Sequence, residues 1–322
     1  MTKICVISPA AGVLSYFPKR VNNGRKWFQA NGIDLIFSSH ANENEGYVSS
    51  SVFDRISDIE YAIENSDILL ASIGGYNSNQ LLDKLNYDLF RKDVYLCGYS
   101  DISALLLAVY SKTGKIVYHG PTYLPEICEY PNPFDYTWYY FKKIVLDHEL
   151  VEYHPPKYRV YEYVDWNDQE IQMVQRKKEE QEISWCVVNP GHANGKFIGG
   201  NINTLIHIIG TEYCPLNVFE NALLFIESTQ YNLAEFDSYI IGLKLRGIFN
   251  SISGLIIGSF GEEGDLETIK KMLITNLKEY NFPIIADVDL GHTDPMITLP
   301  IGASGNLDVD EDGKIYLSVT GY

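Results

Sequence analysis

Asp93-Val-Tyr-Leu-Cys-Gly-Tyr-Ser-Asp-Ile-Ser-Ala-Leu-Leu-Leu-Ala-Val-Tyr110 is where the fold class of this 322-residue chain first shows. An apolar, β-prone segment runs through Gly98 and Tyr99 into Ser100-Asp101, and then into an apolar run at helical spacing that ends before Gly114. A strand that turns sharply into a helix presents its turn residue at the carboxyl edge of a sheet, beside the first unpaired helix N–H groups. Two readings of Ser100 follow. It caps the helix, as Ser and Asp commonly do, or it is a nucleophile held where an acyl-transfer serine needs to be.

Outward from this stretch the same alternation repeats. Upstream, Lys3-Ile-Cys-Val-Ile-Ser8 and Ile68-Leu-Leu-Ala-Ser-Ile73 are continuous apolar runs, the pattern of strands buried on both faces of a parallel sheet. Ile33–Phe37 is a further strand. Helices are expected from Arg20 to Ala30, from Val52 to Asn65 with Phe53, Ile56, Ile59, Ala62 and Ile63 on one face, and from Gln80 to about Phe90. Downstream, Ile116–Gly120 is a fifth strand. Strand and helix thus alternate to about residue 125, which argues for a parallel sheet flanked by helices.

The alternation then breaks. Asp135–Leu146 reads as an aromatic-studded helix, and 151–184 as a charged connection carrying Tyr158, Tyr161, Tyr163 and Trp166. Exposed aromatic rings in a charged loop make it a candidate substrate loop, although a solvated linker is the plainer reading. From Trp185 a second unit follows: a short strand at Lys196 leading into Gly-Gly-Asn-Ile-Asn203, strands Ala222–Ile226, Gly254–Gly258 and Pro283–Asp287, helices Leu233–Phe249 and Leu266–Tyr280, and a terminal hairpin over Asn306–Val319 around Glu311-Asp-Gly313. The expected class is α/β, an N-terminal parallel sheet flanked by helices plus a smaller, β-rich α/β C-terminal domain. The domain reading is 1–150, 151–184 as connecting loop, and 185–322.

The net charge of −17 argues against nucleic acid or an anionic membrane as partner. No stretch approaches the ~20 apolar residues that span a bilayer. The five cysteines are scattered, without a Cys-x-x-Cys pair, which points to a reducing cytoplasm and implies neither disulfides nor zinc. No cofactor or metal is implied.

Three apolar strands end on, or empty into, a reactive residue: Ser100, Glu227 and His292. In sheets flanked by helices, ligands bind at the carboxyl ends of strands, and a serine, an acid and a histidine are the parts of a nucleophile–base–orienter set. Taken singly, Glu227 could pair with an arginine and His292 could sit in a turn. The Gly-x-Ser-x-Gly elbow is missing, because Ile102 stands two after Ser100. Gly74-Gly75 could cradle a phosphate or simply turn the chain.

Ile73-Gly-Gly-Tyr-Asn-Ser-Asn-Gln-Leu-Leu82, Gly98-Tyr-Ser-Asp-Ile-Ser103, Ile198-Gly-Gly-Asn-Ile-Asn203, Leu224-Phe-Ile-Glu227 and Leu290-Gly-His-Thr-Asp294 come in the order and spacing of the LD-carboxypeptidase family of serine peptidases. The chain resembles that family over nearly its whole length, and most its microcin C self-immunity branch, to which the Gly-Gly-Tyr-Asn-Ser-Asn form points. The resemblance implies Ser100 as nucleophile, His292 as general base and Glu227 as the acid orienting it. It also implies an oxyanion hole from the backbone N–H groups of Asp101 and of Gly74 or Gly75, and a homodimer. A substrate-stacking tryptophan is implied too, for which Trp166 and Trp185 both qualify, with Asn77 as a further substrate contact. The expected reaction is cleavage of an amide bond in a peptidyl- or aminoacyl-nucleotide conjugate. The alternatives are a muramoyl-tetrapeptide LD-carboxypeptidase and a non-catalytic two-domain protein that closes on a peptide or nucleotide. His119 is the reserve base if Ser100 and His292 lie apart.

Overall fold

The computed structural model describes the chain apart from Tyr163, Gln169, Glu170, Ile171, Gln230, Tyr231, Glu262, Glu263 and Glu311. Tyr163 and Glu311, both named in the sequence reading, therefore lie outside the described residues.

The first half lays down strands β1 (Lys3–Ile7), β2 (Asp34–Phe37), β3 (Ile68–Ala71), β4 (Tyr95–Gly98) and β5 (Val117–His119), with helices α1 (Pro18–Ala30), α2 (Val52–Asn65) and α3 (Ser103–Thr113). These strands pair in parallel in the order β2-β1-β3-β4-β5. β1 has β2 on one side and β3 on the other, so the winding reverses between β1 and β3. Ligand crevices form at such a reversal, outside the carboxyl ends of the strands. The segment after β3 is the Gly74-Gly75 turn, and Ser100 follows the neighbouring β4.

The second half contains α4 (Asp135–Phe141), β6 (Glu152–Tyr153), β7 (Tyr158–Arg159), β8 (Glu179–Glu180), β9 (Cys186–Asn189), β10 (Gly191–Asn201), α5 (Ile202–Leu205), β11 (Ala222–Glu227), α6 (Leu233–Leu245), β12 (Gly254–Gly258), α7 (Leu266–Leu277), β13 (Ile284–Val288), β14 (Leu299–Ile301), β15 (Ser304–Val309) and β16 (Ile315–Gly321). An eight-stranded sheet runs β6-β16-β15-β10-β11-β12-β13-β9, with a parallel centre from β10 to β13 and antiparallel flanks. This mixed α/β architecture, with a parallel N-terminal sheet and a separate β-rich C-terminal one, is the expected class.

The two sheets exchange chain. β14 returns to the first sheet as an antiparallel edge beside β5, while β6, inside the expected connecting loop, pairs with β16 of the second. The 151–184 stretch is thus partly ordered into strands, including the β7–β8 pair. Helix α3, whose residues Ala104 to Val109 are wholly buried, packs on β4 and β5 of one sheet and on β10 of the other. A helix apolar all round has no solvent face to offer, which is why it ends up between the layers.

Several elements differ from expectation for local reasons. The helix read over Gln80–Phe90 is two 3-10 turns, Ser78–Leu81 and Tyr87–Arg91. Asn86 interrupts it, its side chain accepting from the Asp88 N–H, and such local side-chain bonds compete with helix. The Leu233–Phe249 helix stops at Leu245, with Gly247 in the left-handed region. The strand at Lys196 is not short but eleven residues long. In α2, Phe53 is 80% exposed, and the buried stripe is Arg55, Asp58, Ile59, Ala62 and Ile63.

Candidate active site

Ser100 stands at φ 62°, in the left-handed region that a residue with a Cβ occupies at a cost of about 1–3 kcal/mol. The N-cap position of the turn it opens is Tyr99 and that of α3 is Ile102, so the N-cap reading of Ser100 falls. The hydroxyl instead lies 3.1 Å from Nε2 of His292, whose Nδ1 is 2.7 Å from Oε2 of Glu227. A carboxylate only accepts, so Nδ1 donates to Glu227 and Nε2 is left to accept from the Ser100 hydroxyl. The strands explain the convergence. Glu227 is the last residue of β11, His292 sits in the loop that leaves β13, and Ser100 follows β4 of the facing sheet.

That loop is anchored from below. Arg159 donates from Nε to Asp289 Oδ1 at 2.7 Å and from its terminal nitrogens to Asp287, while the Trp185 indole N–H donates to Asp289 Oδ2 at 3.0 Å. Trp185 is 5% exposed and is therefore a buried support of the His292 loop, not a substrate-stacking ring. Trp185→Phe removes one hydrogen bond to a carboxylate that keeps Arg159, so it is expected to lower stability by about 1–3 kcal/mol. Substrate KM should stay put, and a thermal melt beside a kinetic assay checks both.

Trp166 packs edge-on against Phe17, ring centroids 5.7 Å apart, with the Arg20 guanidinium 4.3 Å from its ring. It does not line the cleft above Ser100. The loop carrying it is held to the body by Arg176, which bridges Glu129 at 2.9 Å and Asp294 at 2.8 Å.

The cleft itself encloses about 840 Å³ and is lined by Gly74, Gly75, Tyr76, Asn77, Ser100 and His292 on one side and Asn201, Asn203, His207, Glu235 and Tyr239 on the other. That volume suits a ligand of drug size. Gly74 lies directly on the nucleophile: a Cβ there would meet Ser100 Cβ and Oγ at 2.7 Å and the Asp101 nitrogen at 3.4 Å. The Asp101 N–H lies in the first turn of a helical segment, where N–H groups have no intrahelical partner.

Sequence reasoning missed the groups that hold these turns. The Asp101 carboxylate accepts from the Ser78 N–H at 2.7 Å and its carbonyl from the Ser78 hydroxyl at 2.6 Å, which clamps the glycine turn to the nucleophile turn. Buried Arg55 donates to the Pro9 and Asn77 carbonyls and to Gln80, fixing the other side of that turn. Tyr99, before the nucleophile, lies edge-on to His292 at 4.9 Å and donates to Glu126, which burial pushes up to about 7. None of these partners is close in sequence, and no local motif signals them.

Burial pulls the His292 imidazole down, but the Glu227 charge and hydrogen bond, with the charges of Glu126 and Asp294, push it above its ordinary value. Burial pushes the Glu227 carboxyl up, and the charge and hydrogen bond of His292, with His119 and a hydrogen bond from Asn201, more than offset this and hold it below its ordinary value. The reserve base His119 is buried and held neutral by desolvation, pushed down to about 4. Among the described residues no group of three or more His, Cys, Asp or Glu is placed to hold a metal ion.

Residues 4–120 match the LD-carboxypeptidase N-terminal domain, and residues 194–307 match the LD-carboxypeptidase C-terminal domain. The chain belongs to the LD-carboxypeptidase family of serine peptidases. The microcin C7 self-immunity protein MccF of Escherichia coli is 31% identical over 299 residues, covering 90% of this chain and 86% of MccF. A structure of MccF in complex with glutamyl sulfamoyl guanosine superposes with a TM-score of 0.89 at 28% identity, over all of this chain and 96% of the other. A Bacillus subtilis protein named "Probable murein peptide carboxypeptidase" is 22% identical, covering 91% of this chain and 86% of its own length. Family membership makes the chain a serine peptidase and displaces the non-catalytic binding reading. None of the helices among the described residues is long and apolar enough to cross a membrane.

Proposed function

We propose that this peptidase cleaves an amide bond in a peptidyl- or aminoacyl-nucleotide conjugate by a Ser100–His292–Glu227 triad. The observation that carries the reading is the continuous hydrogen-bond chain, 3.1 Å then 2.7 Å, at the floor of the cleft between the two sheets. Ser100 Oγ attacks the scissile carbonyl while its proton passes to His292 Nε2. Glu227 stabilises the imidazolium that forms, and His292 returns the proton to the departing amine. The developing oxyanion is met by the N–H of Asp101 and by that of Gly74 or Gly75, fixed donors of the kind worth about 2.7–4 kcal/mol each in other hydrolases. Water then hydrolyses the acyl-enzyme with His292 as base.

The choice of substrate rests on likeness to MccF, at 31% identity, over likeness to the murein peptide carboxypeptidase, at 22%. Asn77 on the cleft wall is the candidate contact to the conjugate. The test compares release of an aminoacyl group from a sulfamoyl adenosine with release of terminal D-alanine from a murein tetrapeptide. Faster turnover of the sulfamoyl conjugate is expected, and the reverse order would assign the murein reaction. We also infer a homodimer in a reducing cytoplasm. All five cysteines are unpaired, which supports the compartment, and light scattering checks the dimer.

Catalysis needs neutral His292, and its imidazole is held above the ordinary value of 6.5. Activity is therefore expected to rise with pH through a midpoint above 6.5 in kcat/KM, as the imidazolium loses its proton. A pH–rate profile over 5 to 9 measures it, and a midpoint below 6.5 would contradict the pairing with Glu227.

A further inference from the structure

Glu126 is a buried carboxylate close to the triad that the mechanism does not use. It is 5% exposed, in the helical turn Tyr123–Ile127 that follows β5, one residue after Pro125 of the cleft wall. Both of its oxygens are occupied. Oε2 accepts from the backbone N–H of Thr122 at 2.6 Å and from the Thr122 hydroxyl at 3.0 Å, while Oε1 accepts from the Tyr99 hydroxyl at 2.8 Å. The Thr122 bonds are those of an acid reaching back to the start of its own helical turn. The Tyr99 bond is not, since Tyr99 lies 27 residues away and immediately precedes Ser100. The same Tyr99 ring meets the His292 imidazole edge-on, with centroids 4.9 Å apart and planes at 63°. A row therefore runs from buried Glu126 through buried Tyr99 to His292.

What sets Glu126 apart is its charge. Glu129 is paired with Arg20 and Arg176, and Asp294 with Arg176, but among the described residues no lysine or arginine pairs with Glu126. A buried carboxylate without a cation is costly, and burial together with the Asp294 charge pushes Glu126 up to about 7. Its three hydrogen-bond donors favour the anion, so above that pH it carries a charge beside His292. Against burial, Glu227 first and then Glu126 and Asp294 push the imidazole above its ordinary value.

We propose that Glu126 is a positioning residue for the triad: through the Tyr99 hydroxyl it holds the Tyr99 ring against His292, and its negative charge supports the imidazolium formed when Ser100 gives up its proton. The inference rests on the Ser100–His292–Glu227 reading. Glu227 fixes the imidazole at Nδ1, and Tyr99 packs against the ring. Glu126 thus adds a second anion whose attraction acts in a water-poor interior, where charges are weakly screened. The groups facing Glu126 are Tyr99 from the turn after β4, Thr122, and Asp294 from the His292 loop, with Cys97 and Cys128 nearby. Those facing His292 are Glu227, Glu126 and Asp294, with His119 beyond.

The test is steady-state kinetics against pH for Glu126→Gln, Glu126→Asp, Tyr99→Phe and Ser100→Ala beside the parent, with thermal melts to show folding. Glu126→Gln keeps the size and removes the charge. It is expected to lower kcat on the alkaline plateau roughly 10-fold, part of the about 10²–10⁴-fold that a general base contributes. KM should change little, and the acidic limb of kcat/KM should move to lower pH, because the imidazolium loses a stabilising charge. Glu126→Asp, which keeps the charge, should leave the limb nearer the parent's than Glu126→Gln does. Tyr99→Phe keeps the ring but removes a donor that favours the Glu126 anion, so its limb should move the same way by less. A folded Glu126→Gln protein with the parent's limb overturns the proposal, since a role confined to the Thr122 turn would lower stability and leave the limb in place. Equal shifts in Glu126→Gln and Glu126→Asp also overturn it. If Glu126→Gln does not fold, an unmoved limb in Tyr99→Phe overturns it. Retained activity in Ser100→Ala would instead remove the triad reading beneath it.

Discussion

Replacing His292 by alanine is expected to lower kcat by roughly 10⁴- to 10⁶-fold with little change in KM, as in other hydrolases where removing one member of the set costs nearly as much as removing all. The size follows from geometry. Nε2 is the basic atom 3.1 Å from Ser100 Oγ, and the buried charge on Glu227 is compensated through that same ring. The loss should be non-additive: Ser100→Ala/His292→Ala should be no slower than either single variant. His119 does not substitute, because burial leaves it a very weak base, pushed down to about 4. Single-turnover kinetics separates this loss in the chemical step from any change in binding.

Gly74→Ala is expected to lower kcat by about 10²–10³-fold while the protein keeps its fold. Gly74 is not among the positive-φ residues, so alanine meets no backbone penalty there. What it meets is the nucleophile: Ser100 Oγ at 2.7 Å and the Asp101 nitrogen at 3.4 Å. The added methyl displaces the serine and blocks the approach of an oxyanion to the Asp101 N–H, and misplacement by about 1 Å already costs on the order of 10²-fold. Gly75→Ala should behave differently. At φ 117°, with Ala11 Cβ 2.6 Å from the added atom, its penalty falls on folding. Melting temperature and kcat measured on both variants tell the effects apart.

The strand ends bearing Ser100, Glu227 and His292 were legible because buried parallel strands write themselves as unbroken apolar runs, and a reactive residue ending such a run stands out. The helical run of α3 was legible too, but not its place between the two sheets, which is set by packing on β4, β5 and β10. What could not be read was polar burial. The face of α2 was expected to carry Phe53 and Ile56; it is turned instead toward Arg55 and Asp58, because Arg55 reaches the glycine turn and Asp58 accepts from Ser38 and His40. Trp185 looked available for stacking because nothing in its neighbourhood shows that Asp289, far along the chain, takes its N–H. Trp166 was expected over the cleft and is on Phe17 and Arg20, a placement set by contacts made across the fold. The exchange of β6 and β14 between sheets was equally hidden, since each strand is only two or three residues long.

The central claim is that Ser100 is the nucleophile of an amide hydrolase. Its most direct measurement is turnover of an aminoacyl sulfamoyl adenosine and of a murein tetrapeptide by purified parent and Ser100→Ala proteins in parallel, with products identified by mass. The account expects the parent to release product from at least the sulfamoyl conjugate and Ser100→Ala to fall to background on both. A Ser100→Ala protein that hydrolyses either substrate at the parent's rate would contradict it.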